Sequence, residues 1–279
     1  MVEITRLGLI GDNIAESRAP RLHEYAGKVM DIQVTYDRLV PQKMGLDFTG
    51  VFRHAQETGY RGLNITYPYK EMAVPLLTIP DAKVARLGAV NTIVFEKHGP
   101  LGYNTDWSGF IAAYRHIRKD APAGRVCMVG AGGVGKAVAF GLLELGVTEL
   151  RLVERDLPKA EALAAALTNA APGISVSVTD SVAQAAPGAD GLINCTPVGM
   201  VGYDGTPLPR PLLKGAGWVF DAVYTPVETT FLKDAAREGQ TIISGEELFF
   251  YQGLHALSNF HGRQMDEAVL RRAITEQIV

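Results

Sequence analysis

The sequence has few cysteines and no strong excess of either charge. Two cysteines, Cys127 and Cys195, occur in 279 residues, and both lie within apolar runs. Two such thiols are typical of buried packing and argue against a disulfide framework or a cysteine-based metal site. The net charge is −3 and no basic run occurs. The electrostatic basis for nucleic-acid binding is therefore missing.

Long apolar runs are also missing. No stretch reaches the ~18–20 apolar residues that a membrane span needs, and the first seven residues lack a signal-peptide pattern. The 6 histidines are scattered without metal-ligand spacing, so we expect no metal. We expect a cytoplasmic protein with no membrane or nucleic-acid partner. Its hydrophobic content of 47% suffices for one large or two ordinary domains.

One stretch carries a binding motif. The apolar run Val126–Val129 predicts a buried strand, and Gly130, Gly132 and Gly135 follow in G-x-G-x-x-G spacing before a helical pattern to Leu143. In this context the glycines allow a tight turn, the approach of a pyrophosphate and close packing of helix on strand. The helix N-terminus offers free N–H groups to the pyrophosphate. The motif predicts a dinucleotide, and a glycine-rich turn that binds nothing is the alternative.

Strands and helices alternate on both sides of this motif. The first hundred residues suit a small α/β domain, and one long helix is predicted there at Met44–Thr58. After the motif, strands and helices follow a βαβαβ plan suited to a parallel sheet. The last predicted helices are at Glu246–Asn259 and Asp266–Ile278. The fold class is therefore α/β.

Polar residues gather in three loops, Glu16–Pro20, Asn64–Lys70 and Gly102–Asp106. In α/β proteins, substrates bind where strands end. A lysine beside a carboxylate can exchange a proton with a substrate hydroxyl, so Lys70 and Asp106 form a candidate proton-transfer pair. From the pattern alone, ordinary surface charges are the alternative for both residues.

The chain resembles the shikimate/quinate dehydrogenase family along nearly its whole length. The matching stretches are, in order, Ser17–His23, Leu63–Lys70, Gly88–Thr92, Asn104–Asp106, Gly130–Gly133, Asn194–Met200, Asp221–Pro226 and Gln252. The resemblance implies NAD(P)-dependent, reversible oxidation of a ring hydroxyl of a shikimate- or quinate-type acid to the 3-keto form. It also implies an N-terminal substrate domain at 1–106, a Rossmann domain at 107–245, and C-terminal helices at 246–279 that pack back on the first domain.

The resemblance further assigns roles to single residues. Lys70 would shuttle the proton of the reacting hydroxyl, and Asp106 would position that hydroxyl and tune Lys70. The implied substrate contacts are Ser17, Asn64, Thr66, Asn91, Tyr224 and Gln252. The implied cofactor contacts are Gly130, Ala131, Gly132, Gly133, Val134, Gly135, Glu154, Arg155, Thr196, Met200, Val223 and Gly245. Purely local roles stay open for Asn64 and Thr66 as turn caps and for Gln252 as a surface residue.

One departure from the family pattern concerns the substrate. The family places hydroxyl residues at both positions of a Ser-x-Ser or Ser-x-Thr pair that holds the substrate carboxylate, whereas this chain has Ser17 and Ala19. Loss of one hydrogen bond to a charged group costs ~1.5–3 kcal/mol. Either shikimate binds weakly, or the substrate differs at its carboxylate side, or a neighbour such as Arg18 or Tyr224 compensates. The sequence therefore does not rank shikimate, quinate or an amino or deoxy analogue.

The second departure concerns the cofactor. NADP-using members tend to carry Asn-Arg-Thr after the second Rossmann strand, where this chain has Glu154-Arg155-Asp156. Glu154 stands 19 residues after Gly135, where an acid accepts hydrogen bonds from the ribose 2′-OH of NAD. We predict NAD. The alternatives are an NADP-dependent biosynthetic shikimate dehydrogenase, with Arg155 on the phosphate, and a non-catalytic nucleotide-binding regulator. A monomer or homodimer is expected.

Overall fold

The structure is a computed structural model that describes the backbone of residues 4–277 and the side chains of residues 4–272. Its contacts divide the chain into two compact units. Unit 1 runs to Thr105 and resumes at Gln252, and unit 2 is Asp106–Tyr251. The sequence expectation has the chain return to the first domain at residue 246, whereas the contacts divide the units after Tyr251.

Eleven strands and eleven helices are numbered here in chain order. The strands are β1 Ile4–Ile10, β2 Gln33–Leu39, β3 Gly62–Ile65, β4 Thr92–Glu96, β5 Gly99–Tyr103, β6 Gly124–Val129, β7 Val147–Val153, β8 Ser175–Thr179, β9 Gly191–Asn194, β10 Trp218–Asp221 and β11 Thr241–Ile243. The helices are α1 Ala19–Val29, α2 Pro41–Met44, α3 Phe48–Glu57, α4 Ala82–Leu87, α5 Thr105–Arg118, α6 Gly133–Leu143, α7 Leu157–Ala170, α8 Val182–Ala185, α9 Thr230–Arg237, α10 Gly245–His261 and α11 Glu267–Gln277. Ile278, the expected end of the last helix, lies outside the described residues.

Unit 1 contains a five-stranded sheet in the order β2-β1-β3-β4-β5. β1 is parallel to β2 and β3, and β4 is antiparallel to β3 and β5. The carboxyl ends of β1, β3 and β5 and the amino end of β4 therefore meet at one edge of the sheet. The polar loops Asn64–Lys70 and Gly102–Asp106 start at this edge, and the loop Glu16–Pro20 lies in the segment that follows β1.

The helix predicted at Met44–Thr58 begins later than expected, because α3 is Phe48–Glu57 and Met44 is the last residue of the separate helix α2. Gly45 ends α2 with a φ of 66°, in the left-handed region that glycine enters without a Cβ clash. Asp47 then caps α3, since its side chain accepts a hydrogen bond from Gly50 N at 2.7 Å. Apolar periodicity placed the start of the helix at Met44, and Gly45 and Asp47 were the signals for the later start.

The C-terminal helix α10 forms part of the core of unit 1. A Cβ on Gly62 of β3 would lie 2.5 Å from the ring of Phe260 and from Ile93 O, so glycine lets Phe260 pack directly on the strand. Arg61 Nε also donates a hydrogen bond to Phe260 O at 2.8 Å. The sheet of unit 1 is therefore completed by residues that follow unit 2 in the sequence.

Unit 2 contains a six-stranded parallel sheet in the order β11-β10-β9-β6-β7-β8. With β6 counted as the first strand, this is the 3-2-1-4-5-6 order of a Rossmann fold. The order reverses between β6 and β9, and ligands of such sheets bind outside the carboxyl ends of the strands at that point. The predicted α/β fold with a Rossmann sheet is confirmed, although the short helices α4 and α8 were not predicted.

Within residues 4–277, no helix has the length and apolar character needed to cross a membrane.

Candidate active site

The turn between β6 and α6 lets a ligand approach the backbone. Gly130 has a φ of 99°, and a Cβ on Gly135 would lie 2.2 Å from Gly130 O. The fold itself therefore requires these two glycines. A Cβ on Gly132 would have one described atom within 4 Å, Lys159 Nζ at 3.8 Å. Gly132 thus leaves open space at the N-terminus of α6, which fits the pyrophosphate of a dinucleotide.

Glu154 follows β7 and turns its carboxylate towards this turn. Its Oε2 accepts a hydrogen bond from Ala131 N at 2.9 Å, and its Oε1 accepts one from Arg155 N at 2.9 Å. Burial raises the pKa of the Glu154 carboxyl, but backbone hydrogen bonds from Ala131, Asp156 and Arg155 and the charge of Lys159 outweigh it and hold this pKa below its ordinary value. An anion is therefore fixed beside the glycine turn.

Two cationic side chains lie near Glu154 in sequence, and both are exposed. Arg155 was predicted as a cofactor contact, whereas Lys159 was missed. Asp156 caps α7 by accepting a hydrogen bond from Lys159 N at 3.3 Å. This capping geometry is the signal that would have placed Lys159 at the end of α7 that faces the glycine turn.

Two buried polar residues tie together the loops that follow β9 and β10. Asn194 Nδ2 donates to Asp221 Oδ1 at 2.9 Å, and Asn194 Oδ1 accepts from Thr196 Oγ1 at 2.6 Å. Asp221 also accepts from Val223 N at 3.0 Å and from Thr229 Oγ1 at 2.6 Å. Burial raises the pKa of Asp221, although these hydrogen bonds oppose it. The predicted cofactor residues Thr196 and Val223 are thus held at the carboxyl edge of the sheet.

Other predicted residues of unit 2 lie in the same loops. Gly245 begins α10, and a Cβ there would lie 2.4 Å from Val223 O. Met200 is half-buried after β9. Tyr224, predicted to contact the substrate, follows β10 and stacks on Phe249 with ring centroids 5.1 Å apart. The segments after β6, β7, β9, β10 and β11 therefore bring the predicted cofactor residues to one edge of the Rossmann sheet.

In unit 1, Asn64 and Asn91 lie where β3 ends and β4 begins, and both are buried. Asn64 Oδ1 accepts from Tyr36 OH at 2.8 Å, and its Nδ2 donates to Thr92 Oγ1 at 3.1 Å. Asn91 Oδ1 accepts from Thr105 N at 2.7 Å. Tyr36 and Thr92 were missed as site residues, although Thr92 closes one of the family motifs. Asn64 is therefore part of a buried network within the sheet.

Lys70 lies half-buried in the turn after β3, which also contains Thr66. Lys70 O accepts from Val90 N at 2.9 Å. Tyr69 OH donates to Asp12 Oδ1 at 2.5 Å and so joins this turn to the one that follows β1. The loop Asn64–Lys70 is thereby joined to the turn that precedes the loop Glu16–Pro20.

Ser17 belongs to the loop after β1 and lies just before the start of α1. Its Oγ accepts from Ala19 N at 3.3 Å, and its carbonyl oxygen accepts from Arg38 Nη2 at 2.9 Å. Arg38 was also missed by the sequence analysis. A cation therefore lies on the backbone of the segment that carries the family's carboxylate-binding pair.

The predicted proton-transfer residues belong to different units. Asp106 lies in the first turn of α5, is 7% exposed and is the first residue of unit 2. Lys70 belongs to unit 1. Gln252, the remaining predicted substrate residue, lies half-buried in α10, where the chain re-enters unit 1.

Comparisons with known proteins bear on this arrangement. Residues 9–93 match the family model of the shikimate dehydrogenase substrate binding domain. The quinate/shikimate dehydrogenase (NAD(+)) of Corynebacterium efficiens is 38% identical over 271 residues, 95% of each chain. The shikimate dehydrogenase (NADP(+)) of an Arthrobacter species is 37% identical over 279 residues, 98% of this chain and 94% of the relative.

A solved structure is similar over the same extent. Quinate dehydrogenase from Corynebacterium glutamicum in complex with NAD has a TM-score of 0.91 and 35% sequence identity, covering 98% of this chain and 100% of that one. The glycine turn with its open space at Gly132 fits the pyridine nucleotide that these relatives name. The predicted family and enzyme class are confirmed. The chain is an oxidoreductase that acts on a CH–OH group and belongs to the shikimate/quinate dehydrogenase family.

Proposed function

We propose that this chain is an NAD-preferring dehydrogenase that reversibly oxidises a ring hydroxyl of shikimate or quinate to the 3-keto form. The observation that carries the substrate class is the buried, hydrogen-bonded pair Asn64 and Asn91, at the sheet edge that also carries Lys70. Fixed polar groups reject analogues that lack a hydroxyl, because the site groups are then left unpaired. Unit 1 binds the substrate and unit 2 binds the dinucleotide. The relatives' names support the same class.

Lys70 and Asp106 handle the proton. Lys70 Nζ takes the proton of the reacting hydroxyl during oxidation and returns it during reduction. Asp106 orients that hydroxyl towards Lys70. The glycine turn Gly130–Gly135 and Glu154 would hold the dinucleotide, which would supply the hydride acceptor for the ring carbon. Thr66, Tyr224 and Gln252 complete the contacts to the ring.

The carboxylate of the substrate is held at the start of α1. Ser17 provides a hydroxyl there, and Arg38 adds a positive charge through its bond to the Ser17 carbonyl. This charge offsets part of the binding energy that is lost because Ala19 has no hydroxyl.

A cytoplasmic location and a monomeric or homodimeric state stay predictions.

Replacing Lys70 with alanine tests the reaction. We expect K70A to lose about 10²–10⁴-fold in turnover, the usual contribution of a positioned acid–base group, while NAD binding measured by fluorescence titration stays unchanged. K97A is the matched control, because Lys97 is exposed in the β4–β5 turn of the same unit. Full turnover by K70A would contradict the assignment.

The cofactor preference rests on Glu154. A fixed carboxylate accepts hydrogen bonds from the ribose hydroxyls of NAD and repels the 2′-phosphate of NADP. Arg155 and Lys159 favour NADP, but the negative charge of Glu154 offsets them.

Kinetics with both cofactors test this preference. We expect wild-type kcat/KM to favour NAD by at least about tenfold, and E154Q to shift the ratio towards NADP by about tenfold, since one lost charge interaction of ~1.4 kcal/mol is tenfold. E161Q is the control, because it removes the same charge from an exposed position on α7. A wild-type preference for NADP would refute the proposal.

A further inference from the structure

The orientation of the Asn64 amide is fixed by a backbone group. Its Nδ2 lies 3.3 Å from the carbonyl oxygen of Asn91 and 3.1 Å from Thr92 Oγ1. A carbonyl oxygen accepts hydrogen bonds and never donates them, so the amide nitrogen must face it. Both amide protons are then used. Oδ1 is left for a ligand, and one of its two lone pairs already accepts the Tyr36 hydroxyl at 2.8 Å.

The Asn91 amide is fixed in the opposite sense. Its Oδ1 lies 2.7 Å from Thr105 N, and a backbone N–H donates and never accepts. Two hydroxyl oxygens, Thr92 Oγ1 and Thr105 Oγ1, lie 3.1 and 3.2 Å from Oδ1 and 3.2 Å from each other. Whichever hydroxyl donates, both lone pairs of Oδ1 are filled. Asn91 therefore has the two N–H groups of Nδ2 to offer a ligand.

Thr92 joins the two amides. It lies opposite Asn64 in the antiparallel register of β3 and β4, and it is 0% exposed. Its oxygen accepts from Asn64, and its proton goes to Asn91 Oδ1 or to Thr105 Oγ1. A valine would have the same shape but could neither accept nor donate. An N–H of Asn64 would then lose its acceptor, and Asn91 and Thr105 would have one hydroxyl proton fewer to share.

We propose that Thr92 is a positioning residue that, together with the Asn91 carbonyl and Thr105 N, holds Asn64 as a pure acceptor and Asn91 as a pure donor towards the substrate. This inference rests on the proposed function, in which both asparagines hold ring oxygens. The oxygen held by Asn64 must carry a proton, whereas the oxygen held by Asn91 needs a lone pair. A hydroxyl satisfies both asparagines, and a keto or ether oxygen satisfies Asn91 alone. The pair therefore selects the oxidation state of the non-reacting ring positions.

The test compares wild type, T92V and T92S on shikimate and on two analogues that each lack one non-reacting ring hydroxyl. We expect T92V to lower kcat/KM for shikimate at least about tenfold, mainly through KM, because a buried unpaired polar group costs about that much. For the analogue that lacks the hydroxyl in contact with the misaligned amide, T92V should change kcat/KM less than about threefold. The KM for NAD should not change. T92S retains the hydroxyl and should stay within about threefold of wild type.

Two results would overturn the proposal: equal losses on shikimate and both analogues, which indicate a merely structural role, or an unchanged T92V. N91A separates the two levels of inference. If N91A no longer discriminates between shikimate and the analogues while T92V still does, Thr92 alone is misassigned. If N91A also changes nothing, the proposed substrate site is wrong and the inference falls with it. Should T92V not fold by circular dichroism, T92A removes the same hydroxyl, and the same outcomes apply.

Discussion

At the residue scale, burial changes the chemistry of side chains whose sequence neighbours are ordinary. His23 is 1% exposed and stacks on Tyr36 with ring centroids 4.8 Å apart. Burial, with a smaller contribution from His261, lowers the pKa of His23 from 6.5 to about 3. The folded protein keeps this imidazole neutral, so the unfolded chain takes up a proton first as the pH falls.

His23 should therefore make stability depend on pH. The contribution of the neutral His23 to the free energy of unfolding is fully present above pH 6.5. It is lost as the pH falls towards 3, at about 1.4 kcal/mol per pH unit. We expect H23L to remove this part of the slope when urea unfolding is compared between pH 4.5 and 7. The other buried histidines contribute equally to both proteins. H98Q, an exposed control, should keep the wild-type slope, and an H23L slope parallel to wild type would contradict the pKa.

The sequence predicted Asn64 and Asn91 as substrate contacts but not which of their side-chain atoms are left for a ligand. That property depends on Tyr36 and Thr105, which are distant from Asn64 in sequence and reach it or its neighbours through the sheet. Lys159 was missed for a related reason. Its place near Gly132 follows from the capping of α7, which is a three-dimensional relation between two loops.

At the element scale, periodicity and glycine spacing predicted most strands and the β6–α6 turn. The G-x-G-x-x-G spacing also assigns different tasks to the motif glycines, and the structure supplies the contacts behind two of them. Gly135 is required because its hydrogen faces Gly130 O, whereas Gly132 has a φ of −74° that alanine also adopts. Packing therefore requires glycine at position 135, whereas at position 132 glycine leaves room for the ligand.

Alanine at each position separates these tasks. We expect G132A to keep its stability within about 0.5 kcal/mol but to bind NAD at least about tenfold more weakly, because the methyl group fills the space of the pyrophosphate. G135A should lose about 1–3 kcal/mol or more through overpacking. Thermal unfolding and NAD titration measure the two effects. Wild-type NAD affinity in G132A would show that the open space is not the pyrophosphate site.

At the scale of the whole molecule, unit 1 consists of an N-terminal and a C-terminal segment of the chain, and unit 2 consists of the segment between them. The sequence predicted the Rossmann sheet because its strands are consecutive. It could not predict that the division falls inside α10, since helical periodicity is continuous across Tyr251 and Gln252. The C-terminal part of α10 belongs to unit 1 because Phe260 packs on Gly62, and this contact joins positions far apart in sequence.

A pair of core variants should report on the units separately. Phe260 in unit 1 and Phe231 in unit 2 are each 1% exposed, and both tryptophans, Trp107 and Trp218, lie in unit 2. We expect each Phe→Ala change to cost about 3–5 kcal/mol. F260A should lower the unfolding midpoint seen by far-UV circular dichroism more than the midpoint seen by tryptophan fluorescence. F231A should lower the fluorescence midpoint, and equal shifts in both variants would mean that the units unfold together.

The return of α10 to unit 1 also sets an order of events at the ribosome. Unit 2 is complete once Tyr251 has emerged, whereas the sheet of unit 1 still lacks Phe260 against Gly62. At about 5–20 residues per second, the 146 residues of unit 2 take about 7–30 s to synthesise. The nascent N-terminal segment therefore waits that long with an apolar sheet face uncovered. Chaperones would have to recognise that segment first, and translation that stops early would release a folded nucleotide-binding unit beside an unfinished one.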